Sequence, residues 1–155
     1  MRRRRQTKRE ILSDPKYDNQ IVARFINYIM WDGEKSVARE VVYDAFDIIA
    51  EKTKKEALDV FDEAIKNTSP MLEVKSKRVG GANYQVPRPV KGDRRLTLSL
   101  RWMIRAARSK KGQRMAEKLA EELIQASQNS GAAVKKKDDT HRMAQANRAF
   151  AHFGW

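Results

Sequence analysis

Apolar residues recur along this chain at three- and four-residue spacing, interrupted once by a stretch that alternates instead. Ile21, Val22, Phe25, Ile26 and Ile29 form the first stripe, which predicts a helix after the turn at Asp14-Pro15, with Asp18 or Asn19 as its cap and Gly33 as its end. A second helix over about residues 36–52 carries Val37, Val41, Ala45 and Ile48, flanked by Ala38, Val42 and Ile49. A third, over about 55–67, uses Leu58, Phe61 and Ile65 and stops at Pro70. The fourth, over about 94–110, has Leu96, Leu100, Met103, Ile104 and Ala107 on one side, and Asp93 is placed to cap it. Met115, Leu119, Leu123, Ala116, Ala120 and Ile124 define a fifth over 113–128. The last, from about residue 133, has the weaker set Val134, Met143, Ala146 and Phe150, with Asp138 or Asp139 as a cap and a frayed Phe-Gly-Trp end. Short links between helices favour antiparallel packing.

Between the third and fourth helices the period changes. Residues 74–79 and 82–86 are strand-prone and flank Gly80-Gly81, a pair suited to the positive φ angles of a two-residue hairpin turn. That turn places Val79 opposite Ala82, Lys77 opposite Tyr84 and Lys75 opposite Val86. Ser76, Arg78, Asn83 and Gln85 then take the other face, with Val74 as its one apolar residue near the base. Neither face supplies much core, and a lone two-stranded ribbon is marginal in water. The fold class expected is therefore mainly α, a six-helix bundle-like body with a protruding two-stranded β-hairpin between helices 3 and 4. Residues 1–12 read as a basic flexible arm and 13–155 as a single helical domain, with 73–89 as its β-arm.

Charge sharpens this picture. The 155-residue chain has 33 Lys and Arg against 20 Asp and Glu, a formal net charge of +13. The excess is uneven: residues 1–9 hold six cations and no acid, while 13–69 hold eight cations and twelve acids. From residue 75 to 118 the count is fourteen against two, and seven of those cations lie between Lys75 and Arg95. A basic ribbon that cannot bury itself, beside a helix with Arg94, Arg95, Arg101, Arg105 and Arg108 away from its apolar side, points to a polyanion. The arm of Arg2, Arg3, Arg4, Arg5, Lys8 and Arg9 has no apolar residue to repay its ordering and is expected to order only on that polyanion.

Catalytic chemistry finds no support. His141 and His152 have no metal-ligand spacing, Gly80-Gly81 sits in neither phosphate-loop pattern, and no serine has a nucleophile-elbow context. Glu121 and Glu122 are adjacent on a predicted helix surface and point different ways, a poor acid–base couple. The absence of cysteine removes disulfides and thiolate metal sites and fits a reducing cytosol. No apolar run reaches the ~18–20 residues of a membrane span, and no apolar segment follows the basic start, so no membrane, cofactor or metal is expected. An architectural DNA binder with a β-arm and an adaptor for acidic proteins or lipid are the other readings of the charge. The first usually needs a wedge at the arm's tip, where this chain has Gly80-Gly81.

At the hairpin the sequence also resembles a known family. VKSKRVGGANYQVP at 74–87, LRWMIRAAR at 100–108, AVKKKDDTHRMAQANRAFAH at 133–152 and DGEKSVAREVVYDA at 32–45 closely resemble bacterial small-subunit ribosomal protein seven, essentially end to end. Departures are Glu34, where the family usually has lysine, the basic exit Arg88-Pro89, and Phe153-Gly154-Trp155 in place of Tyr-Arg-Trp. The resemblance implies a cytoplasmic protein of the small ribosomal subunit, monomeric within it. It implies a primary binder of 16S rRNA that nucleates assembly of the 30S head, near the decoding centre, mRNA and exit-site tRNA. Small-subunit proteins nine and eleven are its implied neighbours. It also implies rRNA contacts by the basic arm, Lys35, Lys75, Lys77, Arg78, Tyr84, Arg94, Arg95, Arg101 and Trp102. Arg78, Gly80, Gly81, Arg142 and Arg148 are implied to lie near tRNA or mRNA. For Tyr84 two roles stand open: stacking on an unpaired base, or covering the ribbon.

Overall fold

In the computed structural model, residues 10–153 are described, and the basic run from Arg2 to Arg9 lies outside them. The order is α1 (Gln20–Ile29), α2 (Lys35–Thr53), α3 (Ala57–Thr68), β1 (Leu72–Val79), β2 (Ala82–Pro89), α4 (Gly92–Ser109), α5 (Met115–Ser127) and α6 (Gly131–Ala146). A 3₁₀ helix, Arg148–Phe153, closes the described chain. The mainly helical class and the hairpin between α3 and α4 match the expectation.

α5 is the hub, packed against α2, α3, α4 and α6. Its Ala116, Ala120 and Ala126 let neighbouring backbones approach, while Leu119 and Leu123 fill the centre. Buried rings continue the core: Phe61 lies 5.1 Å from Phe25 and 5.4 Å from Phe46, and Tyr17 closes the row 5.2 Å from Phe46. α4 buries Leu100, Met103, Ile104 and Ala107, the face its strong stripe predicts.

The weaker stripes turn differently from the expectation. α2 buries Ala38, Val42, Ala45, Phe46 and Ile49, leaving Val37 51% exposed. One residue along a helix is a rotation of about 100°, so an apolar arc this wide leaves the buried side ambiguous. In α3 the core takes Val60, Phe61 and Ala64, with Leu58 and Ile65 at its edge. α6 starts at Gly131 and runs unbroken through Asp138 and Asp139, burying Ala133, Val134, Thr140 and Ala144 while Met143 is 46% exposed.

Helix ends also differ. Asn19 caps α1, its side chain accepting from Ile21 N at 2.7 Å, but the helix ends before Met30 rather than at Gly33. Asp93 lies in the first turn of α4, whose N-cap is Lys91. Ahead of α1, buried Asp14 accepts the Tyr43 hydroxyl on both carboxylate oxygens, at 2.9 and 3.0 Å, and the Lys16 and Tyr17 amides. Burial, then the bond to Asp14, pushes the Tyr43 phenol above its ordinary pKa.

Glu122 is the main correction to the surface reading of Glu121-Glu122. It is fully buried; Oε1 accepts Ala133 N at 2.9 Å, and Oε2 lies 3.4 Å from Lys110 Nζ. The carboxylate thus takes an orphan amide in the first turn of α6, where negative charge is favoured. The Nζ of Lys110, 3.6 Å from Glu121 as well, supplies the balancing charge.

Candidate nucleic-acid interface

The hairpin has the register that the Gly-Gly turn dictates. Val79 pairs with Ala82, Lys77 with Tyr84 and Lys75 with Val86, and the ladder runs on to Leu72 opposite Pro89. Gly80 and Gly81 adopt φ of +57° and +90°, the left-handed values the turn requires. Arg78, Gly80 and Gly81 are all exposed at the tip.

The ribbon, neither face of which was expected to supply much core, is not left to itself. Val86 is fully buried, because α6 packs against both strands and the C-terminal 3₁₀ helix packs against β2. The Tyr84 ring lies 5.2 Å from each of Phe150 and Phe153, and Lys77 Nζ donates to the Phe153 carbonyl at 2.9 Å. Lower down, Met71 N donates to His141 Nε2 at 3.0 Å. Tyr84 therefore meets the C-terminal aromatics, and the Phe-Gly-Trp end expected to fray is docked as far as Phe153. An aromatic contact of this kind adds ~0.5–1.5 kcal/mol beyond burial. Phe153→Ala is accordingly expected to speed amide exchange in β2 by roughly threefold to tenfold while α5 keeps its protection. Unchanged β2 exchange would mean that the Phe153 ring does not help to seat the ribbon.

Other cations are fixed by their elements. Glu73 at the hairpin base binds Lys75 Nζ at 3.3 Å and Arg94 Nε at 3.2 Å, joining the ribbon to the first turn of α4. Arg95 is half-buried, its Nε enclosed without a hydrogen-bond partner. Arg101 lies 5.3 Å over the Tyr28 ring, and Arg108 donates to Ile29 O at 3.0 Å while covering Trp31. Trp102 is half-buried between α4 and α6, beside Arg105. Lys35 is exposed at the first position of α2, next to Glu34.

Arg142 and Arg148 are exposed on α6 and the 3₁₀ helix, with Asp139 4.0 Å from Arg142. Arg148 borders a largely apolar cleft with Met71, Pro87, Pro89 and His141. The hairpin, the start of α4 and the C-terminal turn are thus one connected basic structure. Lys35 lies apart from it, on α2. The contacts of Arg2, Arg3, Arg4, Arg5, Lys8 and Arg9 fall outside the described residues.

Sequence reasoning did not pair Arg105 with Lys136; both line one crevice beside Trp102. Helical projection of α4 alone places Arg105, but nothing local announces its neighbour on α6. Among the described residues, no group of three His, Asp or Glu is placed to hold a metal, and no helix is long and apolar enough to cross a membrane.

Comparison with known proteins bears on this basic structure. The family model for ribosomal protein S7p/S5e matches residues 1–148. The small ribosomal subunit protein uS7 of Thermotoga maritima is 59% identical over 155 residues, all of both chains. That of Thermosipho melanesiensis is 56% identical over the same full length. The Caldanaerobacter subterraneus protein of the same name is 56% identical over 148 residues, 96% of this chain and 95% of its own. A match of this length and closeness, carried on the fold expected from the sequence, places the chain in the ribosomal protein S7p/S5e family.

Proposed function

We propose that this protein is a primary binder of 16S rRNA that nucleates assembly of the small-subunit head, close to the decoding centre and exit-site tRNA. Its coarser role follows from membership of the family: it is a structural, non-enzymatic component of the small ribosomal subunit and serves translation. In the proposed arrangement residues 1–12 are an RNA-contacting arm on a single domain, 13–155, with neighbours among small-subunit proteins nine and eleven.

One observation carries the finer reading: a basic ribbon anchored from its base as far as the Lys77–Tyr84 pair, with Arg78, Gly80 and Gly81 exposed beyond it at the tip. Cations on a fixed frame lose little freedom when they meet phosphates, and each phosphate neutralised releases condensed counterions. Crowded phosphates where RNA helices meet then cost less to hold together. A-form helices hide their base edges in a deep narrow groove, so selectivity arises from shape and from unpaired bases. Lys35, Lys75, Arg78, Arg94, Arg95 and Arg101 supply the cations in this account. Arg78 with Gly80 and Gly81, and Arg142 with Arg148, face tRNA and mRNA. Lys77 and Tyr84 serve it by seating the ribbon on the C-terminal turn. The test is tight binding to a 16S head-domain fragment compared with an unrelated structured RNA, and equal affinity for the two would overturn the specific assignment.

A further inference from the structure

Trp102, Ala106, Ala132 and Ser109 line a crevice of about 270 Å³ between α4 and α6, with Arg105 and Lys136 completing its lining. Its size falls below the ~300–1,000 Å³ of sites for drug-sized molecules and suits one planar ring system. The lining includes an indole, half-buried and packed against the core, so its position is set before anything binds. Small side chains, Ala106 and Ala132, leave the gap beside it. The Ser109 hydroxyl is already committed, donating to the Ala106 carbonyl at 2.7 Å.

The two cations distinguish this crevice from an ordinary surface fold. Arg94 on the same helix is held by Glu73, Arg101 lies over Tyr28, and Arg108 is held by the Ile29 carbonyl and Trp31. Arg105 and Lys136 are exposed and make no ion pair or side-chain hydrogen bond among the described residues. Two uncommitted positive charges beside a preset aromatic surface complement a nucleotide of single-stranded RNA. Its base has an apolar face and its flanking phosphates are anionic.

We infer that this crevice is a nucleotide-binding niche: an unpaired RNA base stacks on Trp102, and Arg105 and Lys136 hold the phosphates on its two sides. The inference rests on the RNA-binding function proposed above, and it adds a contact on α6 that the basic ribbon does not include.

The test uses the full chain with Trp31→Phe and Trp155→Phe, which leaves Trp102 as the single indole reporter. RNA binding is followed separately, by filter retention of a 16S head-domain fragment. At saturation Trp102 emission is expected to fall at least about twofold, as base stacking quenches the indole. Replacing Arg105 and Lys136 together with glutamine is expected to lower the log–log salt slope of binding by roughly 1.4–1.8 and to weaken the quench. Trp102→Ala is expected to reduce affinity by roughly 5- to 150-fold with the slope unchanged. The emission reading keeps the wild-type indole and so does not depend on whether Trp102→Ala folds. Tight RNA binding with unchanged emission overturns the niche and leaves the RNA-binding function standing. Emission that changes only after other small-subunit proteins are added gives the crevice to a protein segment and also overturns it. An absence of RNA binding removes the underlying function, and the niche with it.

Discussion

Leu100→Asn is expected to lower the melting temperature of the free protein by roughly 6–32 °C, or to leave it without a cooperative transition. Leu100 is fully buried on α4 with Met103, Ile104 and Ala107, against the α5 hub. Losing a buried leucine costs ~2–5 kcal/mol, and an amide without partners in its place adds ~1–3 kcal/mol. A domain of this size shifts by about 2–4 °C per kcal/mol, against a total stability of only ~5–15 kcal/mol. Thermal unfolding followed by far-UV circular dichroism measures this. An unchanged midpoint would mean that α4 does not pack on α5 through this stripe.

Glu122→Ala is the second large effect, and it works through charge rather than volume. The substitution strips the acceptor from Ala133 N and leaves Lys110 Nζ, enclosed and without a hydrogen bond, facing only Glu121. Breaking a buried pair from one side typically costs ~3–5 kcal/mol, because the remaining charge is uncompensated. Lys110 is 26% exposed and can turn toward water, so the lower end of that range is expected. Glu122→Gln keeps an acceptor for Ala133 and should lose less. Lys110→Met in the Glu122→Ala background should restore part of the loss. Urea midpoints of the wild type, Glu122→Ala, Lys110→Met and the double variant close this cycle, with Glu122→Gln measured beside them. A Glu122→Ala cost within ~0.5 kcal/mol, the usual size for an exposed site, would contradict the pairing.

The elements that were legible in the sequence are those whose physics is local. Gly80-Gly81 dictated the hairpin register because only a tight turn uses two consecutive left-handed residues. The narrow stripe on α4 fixed its buried side, whereas α2, with Val37, Ala38, Val41 and Val42 all apolar, allowed two faces and the packing chose one. Glu122 looked no different in the sequence from its half-buried neighbour Glu121, since its partners, Lys110 and Ala133, lie on other elements. The seating of Tyr84 was hidden for the same reason: Phe150 and Phe153 are brought to it only when α6 crosses the hairpin. Net charge announced a polyanion, but it could not separate cations tied into the frame, such as Arg108, from those left outside, such as Arg105.

The central claim is that the anchored basic ribbon and α4 clamp phosphates of 16S rRNA, and a salt titration tests it most directly. Binding of the full chain to a 16S head-domain fragment is measured from about 50 to 200 mM salt, beside an unrelated structured RNA. The comparison variant carries Lys75→Gln and Arg78→Gln, two exposed positions on the ribbon, and its helical circular dichroism should match the wild type. If each side chain neutralises a phosphate, the log–log slope falls by roughly 1.4–1.8, about 0.7–0.9 for each phosphate no longer neutralised. Preference for the head-domain RNA over the unrelated one should persist in the variant, because selectivity comes from shape and unpaired bases. A slope identical to the wild type would contradict phosphate clamping by the ribbon, and equal affinity for both RNAs would reduce the protein to a non-specific polycation.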